Sequence, residues 1–524
     1  MSEEQKKQLE QRLWDIANTL RGKMNASQFQ DYILGFIFYK YLSEKIVIFS
    51  NRLLKNEDIK DYTKLDEKTE EGKELIEAVR ENVIPDLGYF LKPTELFSYI
   101  AKKGNSTLTG ENSNFILDEL DRVLSNIQNS TAGTESEDDF DDLFSSIDLT
   151  SQNLGKTPAQ KNELISKVLA HLDAIDFELQ NTEIDVLGDA YEYLIKQFAS
   201  SAGQKAWEFY TPQEVSKVLA KIVTTGKKKL RSVYDPTCGS GSLLLRVGKE
   251  VEIADFYGQE MNHTTYNLAR MNLIMHNIGY HNFDIKNGDT LEEPHHPGMK
   301  FEAIVANPPF AMEWKANDLK MTDDRFSQYG VLPPPKCADY AFIEHMISHL
   351  DENGTMAVIL PHGALFKQWA EQKIRKYIIE KLNYLDAIIG LPANLFYGAS
   401  IPATIMVFKK CRENPDNILF IDSSEYFEKV GNKNRLRESD IEKIVSTYRN
   451  RTEEEKYSHI APLSEIAEND YNLNISRYVD TFEPDAPVDL SEVAEKLQSL
   501  DRDMKPLDEK IRNYCQELGI PSPF

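Results

Sequence analysis

The chain has 524 residues, 41% of them hydrophobic and 28% charged, a composition typical of soluble globular proteins, and its length predicts two or three domains. A formal charge of −25, from 85 acidic and 60 basic residues, disfavours binding of nucleic acid through general attraction. The 4 cysteines form no C-x-x-C pair, which argues against a zinc site and against a disulfide framework.

The first 186 residues have the pattern of a helical domain. Apolar residues recur there at the helical spacing of three and four positions: Leu9, Leu13, Ile16 and Leu20. Asn25 and Gln28 form the pattern of a capping box ahead of an apolar helix predicted over residues 33–49. The polar N-terminus lacks an apolar signal core, and the apolar runs are shorter than a membrane span, so we expect a cytoplasmic protein with a helical domain over residues 1–186.

Short β-branched runs alternate with helical segments beyond a Ser-Ser-Ala-Gly break at residues 200–203. The predicted strands are residues 233–234, 253–257, 283–285, 301–306, 355–360, 385–390 and 404–408. This alternation predicts an α/β domain over residues 187–480, with a doubly wound, mostly parallel sheet that binds ligands at its carboxyl edge. The last two runs are joined by a short connection, so we expect an antiparallel edge strand at that side of the sheet.

The first of these strands leads into a turn of small residues, Asp235-Pro-Thr-Cys-Gly239-Ser240-Gly241, which opens a helix over residues 243–249. Small residues let a ligand approach the backbone, and free N–H groups at a helix start suit a carboxylate or a phosphate. The turn is not a P-loop, because no Gly-Lys-Ser/Thr follows, and it lacks the third glycine of the dinucleotide fingerprint. Taken alone, it is equally well an ordinary strand-to-helix turn.

Acidic residues follow the next two strands. Glu260 comes about 20 residues after the glycines, where a carboxylate can grip the two hydroxyl groups of a ribose. Asp289, in Asn287-Gly288-Asp289, can accept a hydrogen bond from an exocyclic amine or can simply belong to a turn. Together with the glycine turn, these strand ends predict a nucleoside pocket.

The strand predicted over residues 301–306 ends in Asn307-Pro308-Pro309-Phe310. Two consecutive prolines remove two backbone donors and fix two φ angles, so the strand cannot continue and the next atoms are held rigidly. This segment is either a loop punctuated by proline or a rigid device that presents hydrogen-bond acceptors and a stacking ring. The rest of the chain decides between the two.

These motifs, preceded by Phe209-Tyr210-Thr211-Pro212, resemble the S-adenosylmethionine-dependent amino methyltransferases that act on adenine in DNA. The motif order is similar to the gamma arrangement of that superfamily. Over nearly its whole length, the chain resembles the modification (M) subunit of type I restriction-modification systems. The resemblance implies a Rossmann-like catalytic domain, S-adenosyl-L-methionine as cofactor, and transfer of a methyl group to N6 of a flipped adenine, the activity of EC 2.1.1.72.

The resemblance also implies roles for individual residues. The Asn307 side-chain oxygen and the Pro308 carbonyl would accept the two hydrogens of the adenine amine, Pro309 would stiffen the loop, and Phe310 would stack on the base. Cofactor contacts would come from Glu208, Phe209, Tyr210, Thr211, Pro212, Gln213, Asp235, Gly239, Ser240, Gly241, Glu260 and Asp289. Phe396 and Tyr397 either provide a second stacking face or pack in the core. No metal is expected.

The motifs fit other kinds of methyltransferase, and a non-catalytic subunit, less well. Methylation of cytosine C5 is disfavoured, because it needs a cysteine nucleophile, typically after proline, whereas Cys337 follows Lys336 and Cys238 lies in the cofactor turn. Cytosine N4 stays open, although Asn rather than Ser before the two prolines resembles the adenine enzymes. A protein-glutamine methyltransferase usually carries Tyr after the prolines and is much shorter. A pure assembly subunit would not need every motif position filled with a competent residue.

The last segment, residues 481–524, has a heptad pattern. Its apolar positions are Leu490, Val493, Leu497, Leu500, Met504, Leu507, Ile511, Tyr514 and Leu518. This pattern predicts a coiled-coil helix that needs a partner, kinked or divided at Pro506. Beyond about Lys410 the chain is charged and helical in character, with little room for a module that reads bases, so we expect a separate specificity (S) subunit. The resemblance implies double-stranded DNA, one S subunit, a second M subunit and a restriction translocase (R) subunit as partners.

Overall fold

The computed structural model describes residues 3–18, 26–57, 61–105, 115–177, 179, 186–201, 211–396, 402–431, 433–481 and 490–523. The chain forms two compact units, Met1–Val479 and Asp480–Phe524.

The N-terminal part of the first unit is helical, as predicted. Its helices are α1 (Glu3–Asn18), α2 (Ala26–Leu53), α3 (Glu70–Leu87), α4 (Phe97–Gly104), α5 (Leu117–Asn129), α6 (Glu137–Phe140) and α7 (Pro158–Asp173). The predicted apolar helix lies inside α2, which is buried around most of its circumference because its apolar residues are not confined to one face. Leu9, Leu13 and Ile16 are buried on α1. Leu20 and Asn25 lie outside the described residues.

The described residues in the second part of this unit include eleven strands, nine of which form one sheet. The strands are β1 (Lys229–Asp235), β2 (Glu252–Glu260), β3 (Phe283–Asn287), β4 (Phe301–Ala306), β5 (Leu350–Pro361), β6 (Leu385–Gly390), β7 (Ala403–Lys409), β8 (Asn417–Asp422), β9 (Glu428–Val430), β10 (Lys433–Arg435) and β11 (Ser458–Pro462). The order across the sheet is β11-β8-β6-β7-β5-β4-β1-β2-β3, and β9 and β10 form a separate hairpin. All seven predicted runs are strands of this sheet.

Helices alternate with these strands. They are α8 (Val186–Ser201), α9 (Gln213–Val223), α10 (Ser242–Gly248), α11 (His263–Met275), α12 (Asp339–His349), α13 (Gly363–Phe366), α14 (Ala370–Tyr377), α15 (Glu438–Asn450) and α16 (Leu463–Glu468). Helix α8 packs against α1 and α2 on one side and α11 on the other, so it joins the N-terminal helices to the sheet.

The sheet is mostly parallel, as predicted. Strands β3, β2, β1, β4 and β5 run parallel in succession, whereas β7 is antiparallel to both of its neighbours, β5 and β6. The antiparallel pair of β6 and β7 is therefore confirmed, but its expected place at the edge is wrong. Strand β8 continues the sheet beyond β6, and β11 is the antiparallel edge strand. The expectation of only helical character after Lys410 is corrected by the same two strands.

The strand order reverses between β1 and β4, which are neighbours in the middle of the sheet. From β1, the chain adds β2 and β3 on one side, and β4 and β5 lie on the other. Ligands of open α/β sheets bind at the carboxyl ends of the strands beside such a reversal. Asp235, the last residue of β1, and Asn307, the first residue after β4, therefore both lie at the carboxyl ends of the strands beside this reversal.

In the second unit, one helix, α17 (Leu490–Leu518), makes up most of the described residues. Pro506 lies inside it, so the division predicted there does not occur. The nine apolar residues of the predicted heptad seam are all exposed. Whether this seam forms a coiled coil stays a prediction. No helix within the described ranges combines the length and apolar character needed to cross a membrane.

Candidate active site at the carboxyl edge of the sheet

The turn after β1 is held by the Asp235 side chain and by a side chain of the next strand. The Thr237 N–H donates to Asp235 Oδ1 at 2.9 Å, and the Gly239 N–H donates to Glu260 Oε2 at 3.0 Å. Gly239 and Gly241 adopt φ values of 54° and 75°, a left-handed conformation that favours glycine. The turn therefore depends on glycine for its path and on Glu260 for its position.

Glu260 is buried at the end of β2. Its second carboxylate oxygen, Oε1, accepts the Asn262 N–H at 2.8 Å. Burial raises the pKa of Glu260, and burial together with the nearby Glu260 charge raises the pKa of Asp235 to about 8. A carboxylate oxygen has two lone pairs, so both Glu260 oxygens keep acceptor capacity for a ligand hydroxyl.

Cys238 fills the space between the turn and β2. Its side chain is buried, and a Cβ atom placed on Gly258 would lie 3.0 Å from Cys238 Sγ and 2.9 Å from Ile285 Cδ1. Burial raises the pKa of the Cys238 thiol well above its usual value. These observations agree with a packing role for this cysteine and not with a nucleophile.

The residues after β3 fold against the end of β2. The Gly288 N–H and the Asn287 side-chain amide both donate to the Glu260 carbonyl, at 3.0 and 2.8 Å. The half-buried Asp289 accepts the Leu291 N–H at 3.0 Å through Oδ1. Asp289 thus stabilises a turn, one of its two predicted roles, and lies beside Glu260.

Asn307 has one satisfied end and one open end. Its amide Nδ2 donates to Thr211 Oγ1 at 3.1 Å, which links two motifs that are almost a hundred residues apart. Its oxygen, Oδ1, is buried and has no hydrogen-bond partner among the described residues. Within the same ranges, no residue donates a hydrogen bond to the Pro308 carbonyl either. A buried polar atom without a partner is rare, and a ligand is one explanation for it.

The aromatic residue after the two prolines packs against the segment after β6. The rings of Phe310 and Phe396 meet edge to face, with centroids 5.9 Å apart and planes at 66°. Phe396 is buried, so its core-packing role is observed, while a stacking role for it stays a prediction. Tyr397 lies outside the described residues.

The motif ahead of β1 is described only in part. Glu208, Phe209 and Tyr210 lie outside the described residues. Thr211 contacts Asn307, as noted above, while Pro212 caps α9 and Gln213 is its first residue.

Ser240 is buried in the turn after β1. Its carbonyl accepts a hydrogen bond at 2.9 Å from the Asn272 side chain of α11. Asn272, which the sequence analysis did not single out, thereby ties the turn to α11.

Asp339, the first residue of α12, is a further site residue that was not predicted from the sequence. This buried carboxylate accepts the Ala311 N–H at 3.4 Å through Oδ1, while its other oxygen accepts from Cys337 Sγ at 3.1 Å. Lys367 Nζ lies 3.7 Å from the same Oδ2 and donates to Cys337 Sγ at 2.9 Å. Asp339 holds the residue that follows Phe310, but an acidic residue at a helix start is common and carries no specific signal.

A family model described as N-6 DNA Methylase matches residues 182–486. This range includes every site residue described above and covers more than half of the chain. The chain belongs to the N-6 DNA methylase family. A second model, described as the HsdM N-terminal domain, matches residues 9–172 of this N-6 DNA methylase.

Relatives of this N-6 DNA methylase carry consistent names. The chain is 36% identical to the type I restriction enzyme MpnII methylase subunit of Mycoplasma pneumoniae, over 99% of this chain and 97% of that protein. It is 34% identical to the MjaVII methylase subunit of Methanocaldococcus jannaschii, over 68% of this chain and 64% of that protein. A crystal structure of a type I methyltransferase subunit from Streptococcus thermophilus matches with a TM-score of 0.81 and 38% identity, covering 91% of this chain and 100% of that one.

These matches confirm three predictions made from the sequence. The fold is that of an α/β methyltransferase preceded by a helical region, the chain is a methylase (M) subunit of the type I restriction-modification kind, and its activity is that of an adenine-specific DNA methyltransferase.

Proposed function

We propose that this N-6 DNA methylase uses Asn307 and the Pro308 carbonyl to bind the N6 amine of an adenine extruded from duplex DNA, with S-adenosylmethionine as the methyl donor. The observation that supports this most is the pair of open acceptors described above. One is the buried Asn307 Oδ1, and the other is the Pro308 carbonyl next to it. An amine with two hydrogens matches two adjacent acceptors, whereas a C5 carbon offers no donor for them.

The two acceptors address the main difficulty of the reaction. The lone pair of the adenine amine is delocalised into the ring, so the nitrogen is a poor nucleophile. When both hydrogens are held by acceptors outside the ring plane, the nitrogen becomes more pyramidal and its lone pair points towards the methyl donor. Thr211 fixes the Asn307 amide, and the two prolines fix the backbone, so the acceptors are positioned before the base arrives.

The site residues also fit the cofactor. S-Adenosylmethionine supplies an electrophilic methyl group whose leaving group is a neutral thioether. Glu260 is buried with spare acceptor capacity for the two ribose hydroxyls, and Asp289 lies next to it to accept from the adenine amine of the cofactor. Asp235 contributes a buried carboxyl group at the start of the turn, where it accepts the Thr237 N–H. Gly239, Ser240 and Gly241 leave room for the ligand beside them.

Phe310 is proposed to stack on the extruded base. It is half-buried and meets Phe396 edge to face, a contact that fixes the orientation of its ring beside Asn307 and the two prolines. Stacking between a base and an aromatic ring contributes about 1–3 kcal/mol. This stabilisation would offset part of the unpairing that extrusion requires.

We further propose that the chain acts in a complex with one S subunit, a second M subunit and an R subunit, bound to double-stranded DNA in the cytoplasm. The relatives are named methylase subunits of type I restriction enzymes. Helix α17 exposes its whole apolar seam, and such a seam is typical of a helix that packs against a partner. The proposed domains are residues 1–186, 187–480 and 481–524, in agreement with family matches over 9–172 and 182–486.

Methylation by an Asn307→Ala variant tests the proposal. The parent and the variant would each be expressed with an S subunit in a host that lacks DNA methylation, and N6-methyladenine would be mapped across the genome. We expect the parent to methylate one sequence motif and the variant to lose about 100-fold or more of the methyl-transfer rate in vitro, because an oriented acceptor is removed.

A matched control is Asn353→Ala, which removes an exposed asparagine near the start of β5. The control should methylate like the parent, and the Asn307→Ala complex should still bind DNA and cofactor. Equal activity of parent and Asn307→Ala would contradict the role of this side chain. Methylation of cytosine by the parent would contradict the assigned base.

A further inference from the structure

The segment after β5 exposes two aromatic side chains at the edge of the sheet that carries Asn307. Strands β4 and β5 are parallel neighbours, with Ala306 paired to Val358, so the residues after Pro361 lie at the same carboxyl edge as the Asn-Pro-Pro-Phe loop. In this segment, Phe366 is 43% exposed and Trp369 is 85% exposed. Trp369 is the most exposed large hydrophobic side chain in the described part of the first unit.

This segment is anchored to its surroundings, so the exposure does not arise from a loose loop. The Ala364 carbonyl accepts from the Tyr340 hydroxyl at 2.9 Å, and the Leu365 carbonyl accepts the Leu473 N–H at 2.9 Å. Arg375, a buried residue, donates to the Lys367 carbonyl at 3.1 Å. The backbone around the two aromatic side chains is thus held on both sides.

Trp369 also has an unfavourable backbone conformation. Its φ of 66° and ψ of −118° correspond to the first central position of a type II′ turn, which glycine occupies most often because a Cβ atom is strained there. Tryptophan at this position is strained, and its side chain gains almost no burial in return. A residue that has a strained backbone conformation and gains no packing in return is expected at a functional site.

A short chain of contacts connects this segment to the site. Lys367, two residues before Trp369, lies 3.7 Å from Asp339, and Asp339 accepts the N–H of Ala311, the residue after Phe310. Two residues of extended chain span at most about 7 Å, so the Trp369 backbone lies close to that of Lys367, and we place it at the rim of the same site. Lys373, one turn further along α14, is exposed and adds a positive charge to this rim, which favours a polyanion locally in an acidic protein.

We propose that Trp369, with Phe366 beside it, is a DNA-contacting aromatic platform that stacks on a nucleobase next to the extruded adenine. Extrusion leaves neighbouring bases unstacked, and their exposed faces are apolar, flat and wide enough to cover an indole ring. Stacking on an aromatic side chain tolerates any base, so this contact suits a subunit that does not read the sequence itself. The inference rests on the proposed function, because it requires DNA as the substrate.

The test uses the complex of the M subunit with its S subunit, and a duplex that carries the mapped site with 2-aminopurine in place of the target adenine. Trp369→Gly removes the ring and relieves the backbone. We expect the Gly variant to bind this duplex about tenfold more weakly than the parent and to give a smaller rise in 2-aminopurine fluorescence, since stacking contributes about 1–3 kcal/mol per base. The melting temperature of the Gly variant should be equal to or higher than that of the parent.

Trp369→Phe is the matched control, because it keeps an aromatic ring at the same strained position. This variant should retain most of the affinity, and the duplex should quench the tryptophan emission of the parent but not the corresponding component in Trp369→Phe. Equal DNA binding by the parent and Trp369→Gly would overturn the proposal. It would also be overturned if Trp369→Gly failed to assemble with the S subunit, since the indole would then be a protein contact. A parent complex that methylated no adenine would instead contradict the proposed function.

Discussion

The two halves of the site differ in whether their buried polar groups have hydrogen-bond partners. In the cofactor half, around the ends of β1, β2 and β3, Glu260 and its neighbours satisfy one another through short hydrogen bonds. In the target half, after β4 and β5, the Asn307 oxygen has no partner and Trp369 is almost fully exposed. The groups around Glu260 are therefore held by the protein itself, whereas we propose that nucleic acid completes the target half.

The largest effect is expected on cofactor affinity, in the variant Glu260→Ala, which changes the cofactor half alone. Removal of the carboxylate deletes the proposed contacts to the ribose and the support of the Gly239 N–H. Two hydrogen bonds to a charged group contribute about 1.5–3 kcal/mol each, so we expect the cofactor to bind about 100-fold more weakly or worse. Isothermal titration calorimetry with S-adenosylhomocysteine measures this affinity.

Glu252→Ala, an exposed acidic residue at the other end of β2, is the control for that experiment. It should leave cofactor affinity unchanged, and both variants should bind duplex DNA like the parent. If Glu260→Ala weakened DNA binding as much as cofactor binding, the two halves would not be separable in the way the structure indicates.

A smaller effect is expected from Asp339→Ala, which changes the target half. The loop after Phe310 loses the acceptor for the Ala311 N–H, so the acceptors for the adenine amine are held less accurately. We expect kcat to fall about tenfold, equivalent to about 1.4 kcal/mol in the barrier, while cofactor affinity is unchanged. Single-turnover methyl transfer with saturating DNA measures this rate.

The conservative variant Asp339→Asn keeps an oxygen that can accept from Ala311 and should recover most of the rate. An exposed acidic residue, Asp324, provides the control substitution Asp324→Asn, which should have no effect. Equal losses in Asp339→Ala and Asp339→Asn would point to the charge beside Lys367, and not to loop position, as the important property.

The smallest effect is expected from Asp235→Asn on the pH dependence of stability without cofactor. The pKa of Asp235 is about 8 in the folded chain, against about 3.9 in an unfolded one. Between these values the folded state holds a proton that the unfolded state lacks, so this group makes stability fall as pH rises from about 4 to 8. Asp235→Asn removes this dependence and still accepts from Thr237.

The Asp235→Asn variant should therefore melt at a higher temperature than the parent at pH 8 and no higher than the parent near pH 4. Differential scanning fluorimetry across this pH range measures the difference. Asp121→Asn, an exposed position on α5, should show no such trend. A constant difference at every pH would mean that Asp235 is not the titrating group.

Much of the sheet could be predicted from the sequence, because its strands are apolar runs with clear ends. The bounds of β4 match the prediction to the residue, since two prolines after Asn307 prevent any extension. Strands β8 and β11 were missed because charged residues surround both short runs. The internal place of β7 could not be predicted either, because a short connection predicts which strands pair but not what lies beyond them.

Some residues of the candidate site could likewise be predicted from the sequence, and others could not. Asn307, Glu260 and Gly239 were predicted because motif order and spacing identify them. Asp339 and Trp369 were not, since their significance lies in a contact to Ala311 and in a backbone angle, and neither is visible in a sequence. Residues that act through conformation need a structure before they can be recognised.

The position of β7 between β5 and β6 has a consequence for synthesis of the chain. About 40 residues separate the end of β5 from the start of β7, so a nascent chain carries an unpaired apolar strand edge until β7 leaves the ribosome. At 5–20 residues per second this interval lasts roughly 2–8 s. During that time the strands that carry Asp235, Glu260 and Asn307 are already made, and the free edge of β5 is a site where another chain can pair.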